Sequence, residues 1–166
     1  LSSAASDVYK RQQLRPKSVS SIPKIAVRRL IGNGVHDSDE MVPIPDSFLQ
    51  GIDLTVADEG RYPGDAWEFP AMLSMHDGVI SQSVTVASEA VLMGVPTLLV
   101  SDAERGFLNR LVAEGYPLFR YRSGDDPEEI QAQFLSGLHL TEVLDTPEWP
   151  NVRQQFAEII GSELLD

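Results

Sequence analysis

The chain has 166 residues, 42% of them apolar and 23% charged, which fits one domain of ordinary size with a buried core. It has no cysteine, so a disulfide scaffold, a thiolate metal site and a cysteine nucleophile are excluded. No two of its three histidines have the i, i+4 spacing of H-E-x-x-H zinc enzymes, so we expect no metal and no other cofactor. No apolar run approaches the roughly 20 residues of a membrane span, so we expect none.

The formal net charge of −12 is unevenly distributed, because seven of the 13 basic residues but only one of the 25 acidic residues precede Ile31. The acidic body repels nucleic acid, so we expect no nucleic-acid partner, although the basic start allows the alternative of a nucleic-acid-binding arm. Residues 1–21 show no strand or helix periodicity, and the first dozen resemble translated adapter sequence. We therefore interpret 1–21 as a disordered or artefactual lead-in, and 22–166 as one domain from the C-terminal part of a longer protein. Because the sequence shows no apolar signal segment, we expect the protein to be cytoplasmic.

The first half of the chain predicts three strands and one short helix. Apolar and β-branched residues predict strands at Ile22–Ile31, Ile52–Ala57 and Gly78–Ser81. Asp65 is a candidate cap for a helix that continues through Leu73, and Pro70 limits its length.

The second half alternates helices with strands. The clearest helix is Ser83–Met93, because Gly94 follows it and Pro96 prevents its continuation. The pattern also predicts strands at Pro96–Val100 and Pro117–Tyr121, and helices at Glu104–Glu114, from Asp126-Pro127 through Leu135, and over about 150–165. This alternation predicts an α/β fold, with a Rossmann-like, mainly parallel sheet and helices on both faces.

The candidate site is the turn between the Gly78–Ser81 strand and the helix that follows it. Ligands of open α/β sheets bind beyond the carboxyl ends of the strands. We predict an anion site here that needs no lysine. Its donors would be the unpaired N–H groups at the helix start, with the positive end of the helix dipole, and the hydroxyls of Ser81, Ser83 and Thr85. Glu89 lies one turn further on the face of Thr85, where a carboxylate can accept hydrogen bonds from a ribose diol. The spacing equally allows Ser83 to be only an N-cap and Glu89 only a solvated residue.

Residues 77–101 contain the pattern T-x-x-x-E-A-x-x-x-G-x-P, from Thr85 to Pro96, between two hydrophobic strands. This segment resembles the nucleotide-sugar motif of the glycosyltransferase-B fold. The chain is most similar to the glycosyltransferase-B-like family of unassigned function in archaea and bacteria, which is related to UDP-N-acetylglucosamine 2-epimerase and the peptidoglycan N-acetylglucosaminyl transferase. Arg61 matches an upstream arginine of that family, and Leu111–Gly115 matches its Leu-x-x-x-Gly. The resemblance covers about 22–137, and its specific part is 77–121.

The resemblance implies the C-terminal, nucleotide-sugar-binding half of a glycosyltransferase, with a UDP-sugar as the expected ligand. Glu89 would bind the ribose hydroxyls, and Ser83 with Thr85 would meet the diphosphate. The acceptor site and the catalytic base would lie in an N-terminal domain, to which the helix at about 150–165 would cross, so this part alone would bind without turnover. The family has paired glycines where Ser83-Val84 stand here. Two alternatives stay open: a sugar-nucleotide 2-epimerase-like enzyme, and a non-enzymatic α/β module with a decayed phosphate site.

Arginines and histidines supply the remaining candidates. Arg61 and Arg105 both follow predicted strands. Either guanidinium group can donate two hydrogen bonds to diphosphate oxygens. The alternative is that each pairs with an acidic side chain of the protein. His36, in the loop after the first strand, is interpreted as a surface residue with the alternative of reaching the cleft. His76 and His139 are expected to be structural.

Overall fold

We analysed a computed structural model that describes residues 19–31, 40–65 and 67–139. Five strands and four helices alternate in it, together with a 3₁₀ turn at Asp46–Leu49. The strands are β1 (Lys24–Arg28), β2 (Asp53–Val56), β3 (Gly78–Ser81), β4 (Thr97–Val100) and β5 (Leu118–Tyr121). The helices are α1 (Phe69–Ser74), α2 (Val84–Leu92), α3 (Gly106–Ala113) and α4 (Pro127–Gly137). None of these helices is long and apolar enough to cross a membrane.

All five strands are parallel and follow the order β2-β1-β3-β4-β5. The predicted α/β fold is thereby confirmed, with the parallel sheet typical of Rossmann-like domains. The chain leaves β1 in one direction to form β2 and continues on the other side of β1 with β3. The strand order therefore reverses between β1 and β3, and ligands of open α/β sheets bind beyond the carboxyl ends of the strands at such a point.

Helices cover both faces of the sheet because the central strands are apolar on both sides. Ile25, Val27 and Ile80 pack with Phe134 of α4 on one face, which we call the α4 face. The alternate residues of the same strands pack against α1, α2 and α3 on the opposite face. Strands that are buried on both faces contain continuous apolar runs, which is why β3 and β4 were predicted to within one residue; β1 is shorter than predicted, by two residues at its start and three at its end.

Helix α2 has the start and the end that the sequence predicts. The Ser83 hydroxyl accepts a hydrogen bond from the Val86 N–H at 3.4 Å, as an N-cap does. Gly94 adopts a φ of 77°, the left-handed conformation that favours glycine after a helix, and Pro96 follows. The helix between them places its first amides at the carboxyl end of β3.

Two helices begin later than predicted. The Asp65 carboxylate accepts a hydrogen bond from the Trp67 N–H and so closes a local turn, while α1 begins only at Phe69. Pro70 lies in its first turn, where its missing N–H costs no helical hydrogen bond. Helix α3 begins at Gly106, because Arg105 before it is extended. The lead-in up to residue 18 and the segment at 150–165 lie outside the described residues.

Candidate functional site

The turn between β3 and α2 is held by its own serines. The Ser81 hydroxyl accepts a hydrogen bond from the Ser83 N–H and donates one to the Ser83 carbonyl, both at 3.0 Å. Ser83 in turn caps the third amide of α2. Ser81 is fully buried, so its hydroxyl fixes the shape of the turn from below.

The first two amides of α2 remain available to a ligand. Neither the Val84 N–H nor the Thr85 N–H donates a hydrogen bond to any acceptor among the described residues. Unpaired amides at a helix start carry the positive end of the helix dipole, equivalent to about half an elementary charge. This corner of the molecule therefore offers two donors and a positive field to an anion.

Val84 and Thr85 both line a pocket of about 150 Å³. It opens at the carboxyl edge of the sheet, beyond β1, β3 and β4. Its lining residues are Leu30, Glu40, Met41, Gln82, Ser83, Val84, Thr85, Ser101 and Arg105.

Gln82 ties one wall of the pocket to the rest of the fold. Its side-chain carbonyl accepts a hydrogen bond from the Leu30 N–H at 3.1 Å, and its amide group donates to the Val42 carbonyl at 2.7 Å. The residue is only 8% exposed, and its bond to Val42 is buried while its bond to Leu30 is partly buried. Gln82 thus joins the end of β1 to the segment that returns over the sheet at residue 42.

Ser101 holds the opposite wall. Met41 and Ser101 form an isolated antiparallel bridge, and the Ser101 hydroxyl donates to the Glu40 carbonyl at 3.0 Å. The Asp102 N–H donates to the same carbonyl at 2.9 Å. These bonds fix residues 40–42 across the ends of β3 and β4, where they form one side of the pocket.

Arg105 and Glu40 form the charged rim of the pocket. Both guanidinium nitrogens of Arg105 donate to the Glu40 carboxylate, at 2.9 and 2.8 Å. This bidentate pair raises the pKa of Arg105 above its ordinary value, through the hydrogen bonds first and the charge of Glu40 second. The charge of Glu40 offsets that of Arg105, so this pair adds no net charge to the rim.

A second group of charges lies beside this rim, at the ends of β4 and β5. Arg120 and Arg122 both pair with Glu104, at 3.6 and 2.7 Å. Burial is the main cause that lowers the pKa of Arg120, and the nearby Arg122 adds to it. The Asp102 carboxylate accepts hydrogen bonds from the N–H and the hydroxyl of Ser123, which lower its pKa. These ion pairs and hydrogen bonds hold the two strand ends together, although the Nε atoms of Arg120 and Arg122 are buried with no hydrogen-bond partner among the described residues.

The structure brings together part of the predicted site. Ser83, Thr85 and Arg105 line one pocket, and Ser81 supports it. Glu89 is exposed on α2 and does not line the pocket, and no described residue forms an ion pair or hydrogen bond with its carboxylate. Arg61 is exposed in the turn after β2, also away from the pocket.

The histidines do not take part in this pocket. His76 is buried at the amino edge of the sheet, where one ring nitrogen contacts the Met72 carbonyl and the other the Thr55 hydroxyl, both at 2.8 Å. His139 is exposed after α4. His36 lies outside the described residues. Within the described part of the chain, no three histidine, aspartate or glutamate side chains gather as a metal site would require.

Three polar residues of the pocket were not among the predicted site residues: Gln82, Glu40 and Ser101. Gln82 and Ser101 each follow a buried strand directly, the position at which α/β sheets place ligand-binding residues, so their place in the chain was a usable signal. Glu40 had none, because its position depends on a return of the chain from β1 to the end of β4.

The fold and this pocket define a class: a parallel α/β domain with a pocket at a helix start, at the carboxyl edge of its sheet. No family model, no curated protein and no solved structure matches this chain.

Proposed function

We propose that this domain binds a nucleotide-sugar and seats its diphosphate at the start of α2. One observation carries the proposal: Val84 and Thr85, whose amides have no acceptor among the described residues, line the same pocket as Ser83. Amides and hydroxyls at a helix start bind phosphate oxygens without a lysine. A chain with a formal net charge of −12 can hold an anionic ligand by such local donors despite its overall repulsion.

The size of the pocket supports a ligand that is only partly enclosed. Pockets that enclose a whole small molecule measure about 300–1,000 Å³, whereas this one has about 150 Å³. That volume suits the diphosphate, and the nucleoside and the sugar would extend beyond it. This arrangement fits a ligand covered from the other side by a second domain, in which we place the acceptor site and the catalytic base of a glycosyltransferase.

Arg105 and Glu89 have distinct roles in this proposal. Arg105 would exchange its Glu40 partner for diphosphate oxygens, which can accept the same two hydrogen bonds from its guanidinium group. Glu89 would meet the ribose diol outside the pocket, because its backbone lies four residues, about 6 Å, beyond Thr85 along the helix axis. Developing charge on a departing diphosphate would be stabilised by the α2 amides.

Calorimetric titration with UDP-, GDP- and CDP-sugars tests the proposal. We expect saturable heat with at least one of them, and UDP-sugars first. Glu89→Ala should weaken that binding by about tenfold, the size of one lost hydrogen bond to a charged group. Glu128→Ala is the matched control, because Glu128 is equally exposed but lies on α4, across the sheet. The absence of heat with every nucleotide would leave the non-enzymatic α/β module as the better account.

A further inference from the structure

Three arginine side chains meet around Glu104, between the pocket and the end of β5. Arg122 and Arg120 both pair with the Glu104 carboxylate, at 2.7 and 3.6 Å. Arg105, on the rim of the pocket, donates a hydrogen bond to the Glu104 carbonyl at 3.0 Å. The three guanidinium groups thus form one continuous strip that begins at the pocket; we call Arg105, Arg120 and Arg122 the arginine strip.

The three guanidinium groups differ in how far their donors are already used. Two nitrogens of Arg105 donate to the Glu40 carboxylate. The Arg120 side chain is only 10% exposed, so a ligand cannot reach it directly. The Arg122 side chain is 40% exposed, and among the described residues it forms an ion pair with Glu104 alone, through Nη2. Arg122 is therefore the guanidinium of the strip that can take an acceptor from solvent without giving up a bidentate pair.

The electrostatic surroundings of Arg120 favour a further anion close by. Burial first, and the charge of Arg122 second, lower the pKa of Arg120. Glu104 and Asp125 act in the opposite direction but do not outweigh these two effects. The Glu104 side chain is 58% exposed, so water weakens its attraction. An anion bound to Arg122 would offset the cost of holding two positive charges side by side.

The position of the strip indicates which part of a ligand would meet it. In the proposed function the diphosphate lies at the start of α2 beside Arg105, and Glu89 holds the nucleoside along α2. The sugar is then the part that extends past Arg105. A single residue, Glu104, bridges Arg105 and Arg122, a span that one sugar ring with an acidic substituent can match. A carboxylate is the substituent that fits best, because its two oxygens match the donors of a guanidinium group.

Resting on the proposed function, we infer that the sugar of the ligand is acidic and that its carboxylate binds Arg122 at the outer end of the arginine strip. Glu104 would then share Arg122 with the ligand or give it up, as Glu40 would give up Arg105. The site thereby selects a sugar acid over the corresponding neutral sugar. Arg122 is the residue that determines this specificity, and Arg120 supports it from below.

Calorimetric titration of the full chain with two matched pairs of nucleotide-sugars tests this inference. UDP-glucuronate is compared with UDP-glucose, and GDP-mannuronate with GDP-mannose, because the members of each pair differ only at C6, where one has a carboxylate and the other a hydroxymethyl group. We expect the acidic member of at least one pair to bind about tenfold more tightly, the effect of one hydrogen-bonded charge pair. This preference should decrease as salt is added.

Two variants should move the preference in opposite directions, which a purely structural role would not do. Arg122→Gln should reduce the ratio of the two affinities to about one. Glu104→Gln should increase the ratio several-fold, because it removes the carboxylate that competes for Arg122. Arg110→Gln and Glu114→Gln are the matched controls, since this ion pair has the same 2.7 Å length but lies at the other end of α3. Both controls should keep the wild-type ratio.

The outcomes separate this inference from the proposed function. Equal affinities within both pairs would overturn the inference and leave nucleotide-sugar binding standing. An unchanged ratio in Arg122→Gln would also overturn it, because the carboxylate would then bind elsewhere. If none of the four nucleotide-sugars gave heat, the inference would be overturned together with the proposed function.

Discussion

The two edges of the sheet contain similar kinds of residue and use them differently. At the amino edge, both ring nitrogens of His76 are hydrogen bonded, and the Asp77 carboxylate accepts from the Lys24 N–H. At the carboxyl edge, Gln82 and Ser101 are also hydrogen bonded, but Val84 and Thr85, which line a pocket, have backbone amides with no acceptor among the described residues. Polar groups that are already hydrogen bonded stabilise an edge of the sheet, whereas unpaired donors beside a pocket can bind a ligand. The comparison therefore points to the carboxyl edge as the functional one.

The largest effect is expected from Gln82→Leu, which keeps the bulk of the side chain and removes both of its hydrogen bonds. The Leu30 N–H and the Val42 carbonyl would be left unpaired beside the pocket. We expect the free energy of unfolding, measured in urea, to fall by about 1–3 kcal/mol.

Gln133→Leu serves as the control for Gln82→Leu. Gln133 is exposed and bonds only to Glu129 on the same helix, so its replacement should change stability by less than about 0.5 kcal/mol. Equal losses in the two variants would mean that Gln82 does not hold the pocket wall.

The next largest effect is expected from Thr85→Glu, which should change stability and binding in opposite directions. A carboxylate in the first turn of α2 stabilises the helix by about 0.3–1 kcal/mol. The same charge would repel a diphosphate from the pocket that Thr85 lines, so we expect binding to weaken by about tenfold or more, a loss of about 1.4 kcal/mol. Thr85→Gln, which has the same shape without the charge, should bind close to wild type. Tight binding by Thr85→Glu would place the ligand elsewhere.

A smaller effect is expected from Glu40→Gln, which removes the charge that neutralises Arg105. Both side chains of the pair are about one-third exposed, so stability should change by less than about 1 kcal/mol. The released guanidinium should then bind a nucleotide diphosphate several-fold more tightly, and the gain should decrease as salt is added. Calorimetry at two ionic strengths measures both effects. Weaker binding would show that Glu40 itself contacts the ligand.

The smallest effect concerns the pKa of Asp102, which the hydrogen bonds from Ser123 lower. A lowered folded-state pKa means that the contribution of Asp102 to stability is present above its unfolded-state pKa and is lost as the pH falls through its folded-state pKa. Ser123→Ala removes the hydroxyl bond and should move the pKa of Asp102 up towards its ordinary value. Carboxyl-carbon NMR titration measures the shift, and an unchanged pKa would contradict this assignment.

Much of the fold could be predicted because its determinants are local. The apolar runs of β3 and β4, the Ser83 cap and the Gly94 stop act within a few residues of where they stand. The late start of α1 was missed because the Asp65 side chain can close a turn as readily as it can cap a helix, and Pro70 suits the first turn of the later helix.

The site was less predictable because it depends on contacts distant in sequence. The turn at Ser81–Ser83 is local and was found. The Arg105–Glu40 pair joins residues 65 positions apart, and Gln82 bonds to Val42 across 40 positions. Contacts between residues so far apart in sequence cannot be recognised from local spacing or composition. Only the folded structure shows which acidic residue pairs with which arginine.

Amide NMR spectra recorded during a titration with UDP test the central claim most directly, because they report on both edges at once. The account predicts that the Val84 and Thr85 N–H resonances shift and saturate together, while those of Lys24 and His76 at the amino edge stay in place. The account would be contradicted by resonance shifts centred on the amino edge. It would also be contradicted if no resonance at the start of α2 shifted at millimolar UDP.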